Sequence, residues 1–357
     1  MSATTVDAPV SSAVCAMLAG LLVLAFGLPS QVLAQALPNP YRAVDGWATL
    51  PGGRTMGAVG DVDMSPDGQL VWAVIRCDAT APERFGNECL DSDLDPVVAF
   101  DLDGNVVRSF GSGLFIWPHG IDVDADGNVW VTDAVSAERT PPGQRGHQAV
   151  KFSPSGRVLM VLGEPGVPGE DDDHFNAPSD IVVGDGGAIF VADGHGPGEN
   201  NRIMKFSADG QLLKTWGRTG YAPGEFRELH ALAIDNDGRL FVADRWNNRI
   251  QIFDQDGNFL AMWTQFGRPS GISFDGKGHI FVADSESDDV QNPGWEMGIR
   301  IGDARTGWVD AFILYPWGDP RSTAGNGAEF VAVDRDGNLY AGEPRPRRLQ
   351  KYVRVRP

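Results

Sequence analysis

Six copies of one alternating pattern, a second hairpin after most of them and an unfinished last copy predict an all-β chain folded as a six-bladed β-propeller with four strands per blade. The copies start at Val59 (VGDVDMSPDGQLVWAVIR), Pro118 (PHGIDVDADGNVWVTD), Pro178 (PSDIVVGDGGAIFVAD), Leu229 (LHALAIDNDGRLFVAD), Pro269 (PSGISFDGKGHIFVAD) and Ala328 (AEFVAVDRDGNLYAGE). Each holds two short runs of alternating apolar and polar residues joined by Asp-Gly or Gly-Gly. Alternation is the signature of a half-buried strand, and Asp-Gly between two such runs marks a hairpin. Helical periodicity is almost absent. A sandwich or solenoid accounts for the alternation but not for six copies with an incomplete last one.

Taken along the chain, the first element is a separate segment. SSAVCAMLAGLLVLAFGLPS, from Ser11 to Ser30, is apolar, and VLAQA supplies an Ala-x-Ala cleavage pattern. Residues 1–36 therefore read as a secretory signal peptide, with the propeller spanning 37–357. No Lys or Arg precedes the apolar core, so an uncleaved N-terminal anchor is the alternative. Export predicts a periplasmic or secreted protein. After the signal, AVDGWATL (Ala43–Leu50) is a candidate closing strand, because the sixth copy ends at RLQKYVRV (Arg348–Val355) without an outer strand. Closing the ring with the N-terminus removes an exposed strand edge. The second hairpins follow at Gln148 (QAVKFSPSGRVLMVLG), Arg202 (RIMKFSADGQLLKTWG) and Arg249 (RIQIFDQDGNFLAMWT). Cys77 and Cys89 lie in a polar loop of the first blade, and in an exported chain they are read as a disulfide.

The bulk composition of the 357 residues is globular, with 42% hydrophobic and 22% charged residues. A net charge of −19 argues against nucleic acid as a partner, since a phosphate backbone demands a basic face. No segment after the signal is apolar enough to span a membrane as a helix. The expected partner is a small-molecule or peptide substrate, and the chain is expected to be a monomer.

In a propeller the innermost strand of each blade lines the central channel, so equivalent positions face one space. The opening position of the six copies reads Gly60, His119, Ser179, His230, Ser270 and Glu329. Small residues alternate with His, His and Glu. Two imidazoles and a carboxylate suit a divalent metal, and three protein ligands leave a coordination position open for catalysis. The bland alternative is that these side chains merely fill the mouth. The second strand of each copy ends in Arg76, Asp133, Asp193, Asp244, Asp284 and Glu343. The acids are expected to bind backbone. Arg76 breaks the series, Arg245 follows Asp244, and His195 lies in the Gly-rich loop after Asp193. Arg76 and Arg245 are candidates for holding a substrate carboxylate or oxyanion, or else are salt-bridged to neighbouring acids; His195 is a candidate base or a solvated loop residue. His147 and His279 are read as structural or solvent-facing.

PHGIDVDADGNVWVTD, NAPSDIVV, FVADG with NNRIMKFSADGQLLKTWG, LHALAID and ADRWNNRIQIF resemble the NHL-repeat proteins, and among them the peptidyl-α-hydroxyglycine α-amidating lyase family. The resemblance implies a zinc ion, or another divalent transition metal, held by three histidines. His119 and His230 match the first two, and Glu329 stands in place of the third. The next residue in the family is an Asp that holds a structural calcium (Ca2+); here Phe330 removes that ligand. Arg245 matches the family's active-site Arg, Arg76 a second one, and His195 replaces a Tyr proposed as a base. The activity implied is metal-dependent cleavage of the C–N bond of a carbinolamide such as a peptidyl-α-hydroxyglycine. The alternatives are a metal-dependent lactone or ester hydrolase, and a non-catalytic propeller that binds a protein or ligand in the cell envelope.

Overall fold

Residues 37–77, 89–141, 145–315 and 327–355 are described by a computed structural model; the segment read as a signal peptide lies outside them. Six four-stranded antiparallel sheets carry the chain. Blade one is β2 (Val59–Met64) to β5 (Val106–Phe110), and blade two is β6 (Pro118–Val123) to β9 (Val158–Leu162). Blade three is β10 (Pro178–Val183) to β13 (Leu212–Trp216), and blade four is β14 (Leu229–Ile234) to β17 (Phe259–Trp263). Blade five is β18 (Gly271–Phe274) to β21 (Val309–Leu314). Blade six combines β22 (Phe330–Val333), β23 (Leu339–Glu343) and β24 (Arg348–Arg354) with the N-terminal β1 (Tyr41–Val44). Each inner strand packs beside that of the next blade, and β22 packs back onto β2.

The ring closes as the unfinished sixth copy predicts. β1 pairs antiparallel with β24, with Tyr41 opposite Arg354 and Val44 opposite Lys351. The closing strand begins two residues earlier than the candidate stretch and stops at Val44. Trp47 instead turns inward, its ring 4.9 Å from Tyr340 of blade six and 6.0 Å from Phe100 of blade one. Its apolar bulk is better used between two blades than on an outer edge strand.

The turns follow from local chemistry. In DADGN, Asp124 Oδ1 accepts the backbone N–H groups of Asp126 and Asn128, and Gly127 takes φ +79°. Asp101, Asp235, Asp254 and Asp334 repeat this arrangement in other hairpins. The core lies in layers between blades rather than at the axis. Trp72, Phe110, Phe115 and Phe152 join blades one and two, for example, and Phe190, Phe226 and Phe253 join three and four.

At the axis the inner strands nearly touch. A Cβ on Gly120 would sit 2.7 Å from the Ser179 carbonyl oxygen, so only glycine allows that approach. Four carboxylates then latch one blade to the next. Asp61 Oδ2 accepts the N–H of Ile121 at 2.8 Å, and Asp63 Oδ2 that of Val123 at 2.8 Å. Asp122 Oδ2 accepts from Val183 at 3.3 Å and Asp180 Oδ2 from Leu232 at 2.7 Å.

The disulfide read from the sequence is formed: Cys77 and Cys89 are bonded, with Cα atoms 4.8 Å apart. Such bonds persist in oxidising compartments. Among the described residues no helix is long and apolar enough to cross a membrane.

Candidate metal centre at the channel mouth

His119 lies in β6 and His230 in β14, each at the strand's second residue, and both are fully buried. His119 Nδ1 is 2.8 Å from the carbonyl oxygen of Ser179, and His230 Nδ1 is 2.9 Å from that of Ser270. A carbonyl only accepts, so in both rings Nδ1 carries the hydrogen and Nε2 is left with a bare lone pair. Neither Nε2 makes a hydrogen bond. The small residues of blades three and five thus do more than leave room. Their carbonyls orient the imidazoles of blades two and four, the arrangement that metal-binding histidines use.

His195, two residues beyond β11, brings a third imidazole. The ring nitrogens of His119, His195 and His230 all lie within 4.8 Å of one another, and His195 Nε2 is also buried without a hydrogen bond. Burial holds all three rings well below the ordinary imidazole pKa, and their mutual proximity and the nearby guanidiniums add to this. Three neutral imidazoles with unused lone pairs are the donor set that zinc and similar ions accept.

Glu329 also reaches this space, from the residue before β22. Its Oε1 lies 3.4 Å from His230 Nε2 and 3.7 Å from Arg245 Nη1, and its Oε2 lies 3.9 Å from Arg76 Nη2. All six residues singled out from the sequence therefore converge. The sequence had paired Glu329 with the metal and left His195 as a base; His195 completes the imidazole cluster, while Glu329 faces both that cluster and the arginines. Phe330 closes the floor, its ring 5.0 Å from that of His230 and 5.4 Å from that of His119.

The arginines are buried and charge-balanced. Arg245 Nη2 bonds Glu228 Oε1 at 2.5 Å, and its Nη1 faces Glu286 at 3.6 Å. Burial opposes the charge on Arg245, but Glu228 and Glu286 hold its pKa above the ordinary value. Burial pushes the Glu228 carboxyl up to about 7 against the pull of Arg245. Arg76 donates Nε to the Pro118 carbonyl at 3.3 Å and lies 4.3 Å above the Trp117 ring. The acids that end the second strands take the structural role expected. Asp133 accepts the N–H groups of Ile116 and Trp117, Asp244 that of Arg227, and Asp284 that of Arg268. His147 is structural too, between Thr140 Oγ1 and the Ala177 N–H.

Sequence reading missed Trp117, Glu228, Arg268 and Glu286. Arg268 is 3% exposed, with Nε 3.2 Å from Glu286 Oε2 and Nη2 3.8 Å from Glu228 Oε2. A signal for them existed. Trp117, Glu228 and Arg268 each stand two residues before the mouth position of their blade, and Glu286, like His195, stands two residues after the strand-ending acid. In extended chain, side chains two apart share a face, so these columns were legible.

Comparison with known proteins agrees with the repeat architecture. The NHL repeat family matches residues 226–253. A probable peptidyl-α-hydroxyglycine α-amidating lyase of Caenorhabditis elegans is 30% identical over 267 residues, covering 71% of this chain and 68% of that protein. Peptidyl-glycine α-amidating monooxygenase B of Xenopus laevis is 34% identical over 265 residues, 69% of this chain, but the match spans only 27% of that longer protein. Among solved structures, a gluconolactonase of Xanthomonas campestris superposes with a TM-score of 0.55 at 15% identity, covering 89% of this chain and 95% of that one, a likeness of fold.

Proposed function

The chain belongs to the peptidyl-α-hydroxyglycine α-amidating lyase family, and from that premise we propose that it is a metal-dependent lyase that cleaves the C–N bond of a carbinolamide at the channel mouth. The observation that carries this reading is the cluster of three imidazoles, two fully buried and one half-buried and all unpartnered at Nε2, facing two guanidiniums and a carboxylate. His119, His195 and His230 would hold a divalent transition metal, for which zinc is the leading choice. Such an ion supplies Lewis acidity, which lowers the pKa of a substrate hydroxyl.

The reaction asks the site to remove the hydroxyl proton, to let the C–O bond become a carbonyl as the C–N bond breaks, and to return a proton to nitrogen. The products are an amide and an aldehyde such as glyoxylate. Glu329 offers an oxygen beside the cluster, and its Oε2 accepts no hydrogen bond, so it suits the proton-accepting role. Arg245 Nη1 makes no hydrogen bond either, only ion pairs at 3.6 Å to Glu286 and 3.7 Å to Glu329, and so suits binding a substrate carboxylate or the developing oxyanion. Arg76 backs Glu329 from the first blade and adds a second positive charge. The disulfide supports action outside the cytoplasm.

The test is to purify the mature chain, measure bound metal, and supply an α-hydroxyglycine-extended peptide. Stoichiometric metal, with equal release of peptide amide and glyoxylate that stops on chelation, is expected. A metal-loaded protein that leaves the carbinolamide intact would refute the lyase reading.

A further inference from the structure

A cavity of about 550 Å³ opens beside His195. That volume lies within the range of small-ligand pockets. Its wall contains His195, of the imidazole cluster, and Glu228, the partner of Arg245, so it begins where the reacting carbon would sit. Irregular stretches of chain build the wall. Trp117 and Asn176 lead into β6 and β10, and their backbone N–H groups bond Asp133 Oδ1 at 2.8 Å and Asp193 Oδ1 at 2.7 Å. Glu228 leads into β14 with φ +57°; its N–H bonds Asn201 Oδ1 at 2.6 Å and its carbonyl accepts the Arg245 N–H at 3.2 Å. The left-handed region is uncommon for a residue with a side chain, and these two bonds hold Glu228 there. Glu199 comes from the loop between β11 (Ile189–Asp193) and β12 (Arg202–Phe206).

Three residues of this wall carry a buried oxygen that accepts no hydrogen bond: Asn176 Oδ1, Glu199 Oε2 and Glu228 Oε2. Glu228 Oε2 lies 3.8 Å from Arg268 Nη2, too far for a hydrogen bond. A wall of unused acceptors is complemented by a donor, not by an apolar or anionic group. Charge points the same way. Glu138 and Arg139 also line the cavity and offset one another, and Glu228 is engaged with Arg245, which leaves Glu199 for the occupant to balance. Trp117 and Pro197 supply apolar surface for a hydrocarbon stem, and an aromatic ring also attracts a cation.

Resting on the lyase reading above, we propose that this cavity is the subsite for the residue whose amide is released, and that it selects a cationic side chain, an ammonium or guanidinium on an aliphatic stem. With the hydroxyl at the imidazoles and the carboxylate at Arg245, the acyl arm of the carbinolamide is the substituent left to enter it. Glu199 sets the preference.

The test has a binding arm and a turnover arm, both on the purified mature chain. Calorimetry measures the affinity of peptides ending in Arg-Gly, Lys-Gly, citrulline-Gly or Glu-Gly, which requires no cleavage. Steady-state kinetics on their α-hydroxyglycine counterparts gives kcat/KM. The arginine and lysine peptides should bind and turn over about 10–100-fold better than the citrulline peptide, which matches arginine in shape without its charge, and the glutamate peptide should be worst. Glu199→Gln should bring the arginine-to-citrulline ratio to within about threefold. Glu199→Lys should invert the order in favour of the glutamate peptide, with circular dichroism melts confirming that both variants fold. The proposal is overturned if the wild type binds the arginine and citrulline peptides within about twofold of each other, or if folded Glu199→Gln keeps the wild-type ratio. The wild-type ratio decides alone should neither variant fold. Preferential binding of the arginine peptide without cleavage of its hydroxyglycine form would refute the lyase reading and uphold the subsite; cleavage without preference would do the reverse.

Discussion

The two ends of the channel are both lined with buried polar groups, yet they spend their polarity differently. At the mouth, His119, His195 and His230 keep Nε2 free of hydrogen bonds, as do Arg245 Nη1 and Glu329 Oε2. Further along the same inner strands, Asp61, Asp63, Asp122 and Asp180 each accept a backbone N–H from the next blade. A buried polar group without a partner costs about 1–3 kcal/mol, so a cluster of them persists only where something else is to be bound. The aspartates, with their partners supplied, are a latch. Burial alone does not separate function from structure here; the hydrogen-bond account does.

The sharpest way to break this comparison is to remove mouth ligands. His230→Ala or His119→Ala should lose bound metal and lower carbinolamide cleavage by about 100-fold or more, while the metal-free protein still folds, as circular dichroism would report. If either variant unfolds instead, the mouth is structural after all. Next in size, Arg245→Lys should keep the metal and lose about 100-fold in kcat, because an ammonium cannot reproduce the guanidinium's reach between Glu228 and the substrate. Metal analysis beside steady-state kinetics separates the two effects.

At the other end, Asp180→Ala should cost about 1–3 kcal/mol of stability by stranding the Leu232 N–H, with cleavage per folded molecule unchanged. Urea denaturation and kinetics on the same sample decide this. The two ends should also titrate with opposite sign. Burial pushes Asp180 up to about 8, above its value of about 4 in the unfolded chain, so its contribution is full at low pH and is lost as pH rises from about 4 to about 8. The mouth histidines are held below their unfolded value near 6.5, so theirs is present above that pH and is lost on acidification. Asp180→Asn should flatten the first trend and leave the second. The smallest effect sharpens the account of the alternation. Ser179→Ala should change metal affinity by no more than about twofold, because the backbone carbonyl, not the hydroxyl, orients His119; the cost falls on stability, about 1 kcal/mol for the lost hydrogen bond to the Leu229 carbonyl.

Most of the fold was legible because its signals are short-range. Asp-x-Asp-Gly-Asn turns close on themselves within five residues, and alternation declares which side chains face a neighbour. The missing outer strand of blade six foretold the pairing of β1 with β24, though Trp47, read as part of that strand, goes to the seam between blades. At the site, reading one column of the repeat found His119, His230 and Glu329; the column two residues before it held Trp117, Glu228 and Arg268, and the one two residues after the strand-ending acids held Glu286. His195 was found as a residue but not as a member of the imidazole cluster, since it sits in a loop whose path no repeat prescribes.

The sequence by itself determined the six blades, the closure of the ring and the arrival of His, His and Glu at one rim, because period, turn chemistry and position in a repeat are local properties. Only the tertiary structure decided which of the buried polar groups are satisfied. The Ser179 and Ser270 carbonyls that orient the histidines, the amides that occupy the aspartates and the loop that carries His195 inward all belong to other blades or to irregular chain. Distances of 3 Å or so between residues 40 to 60 apart in sequence are set by the closed ring and by nothing shorter.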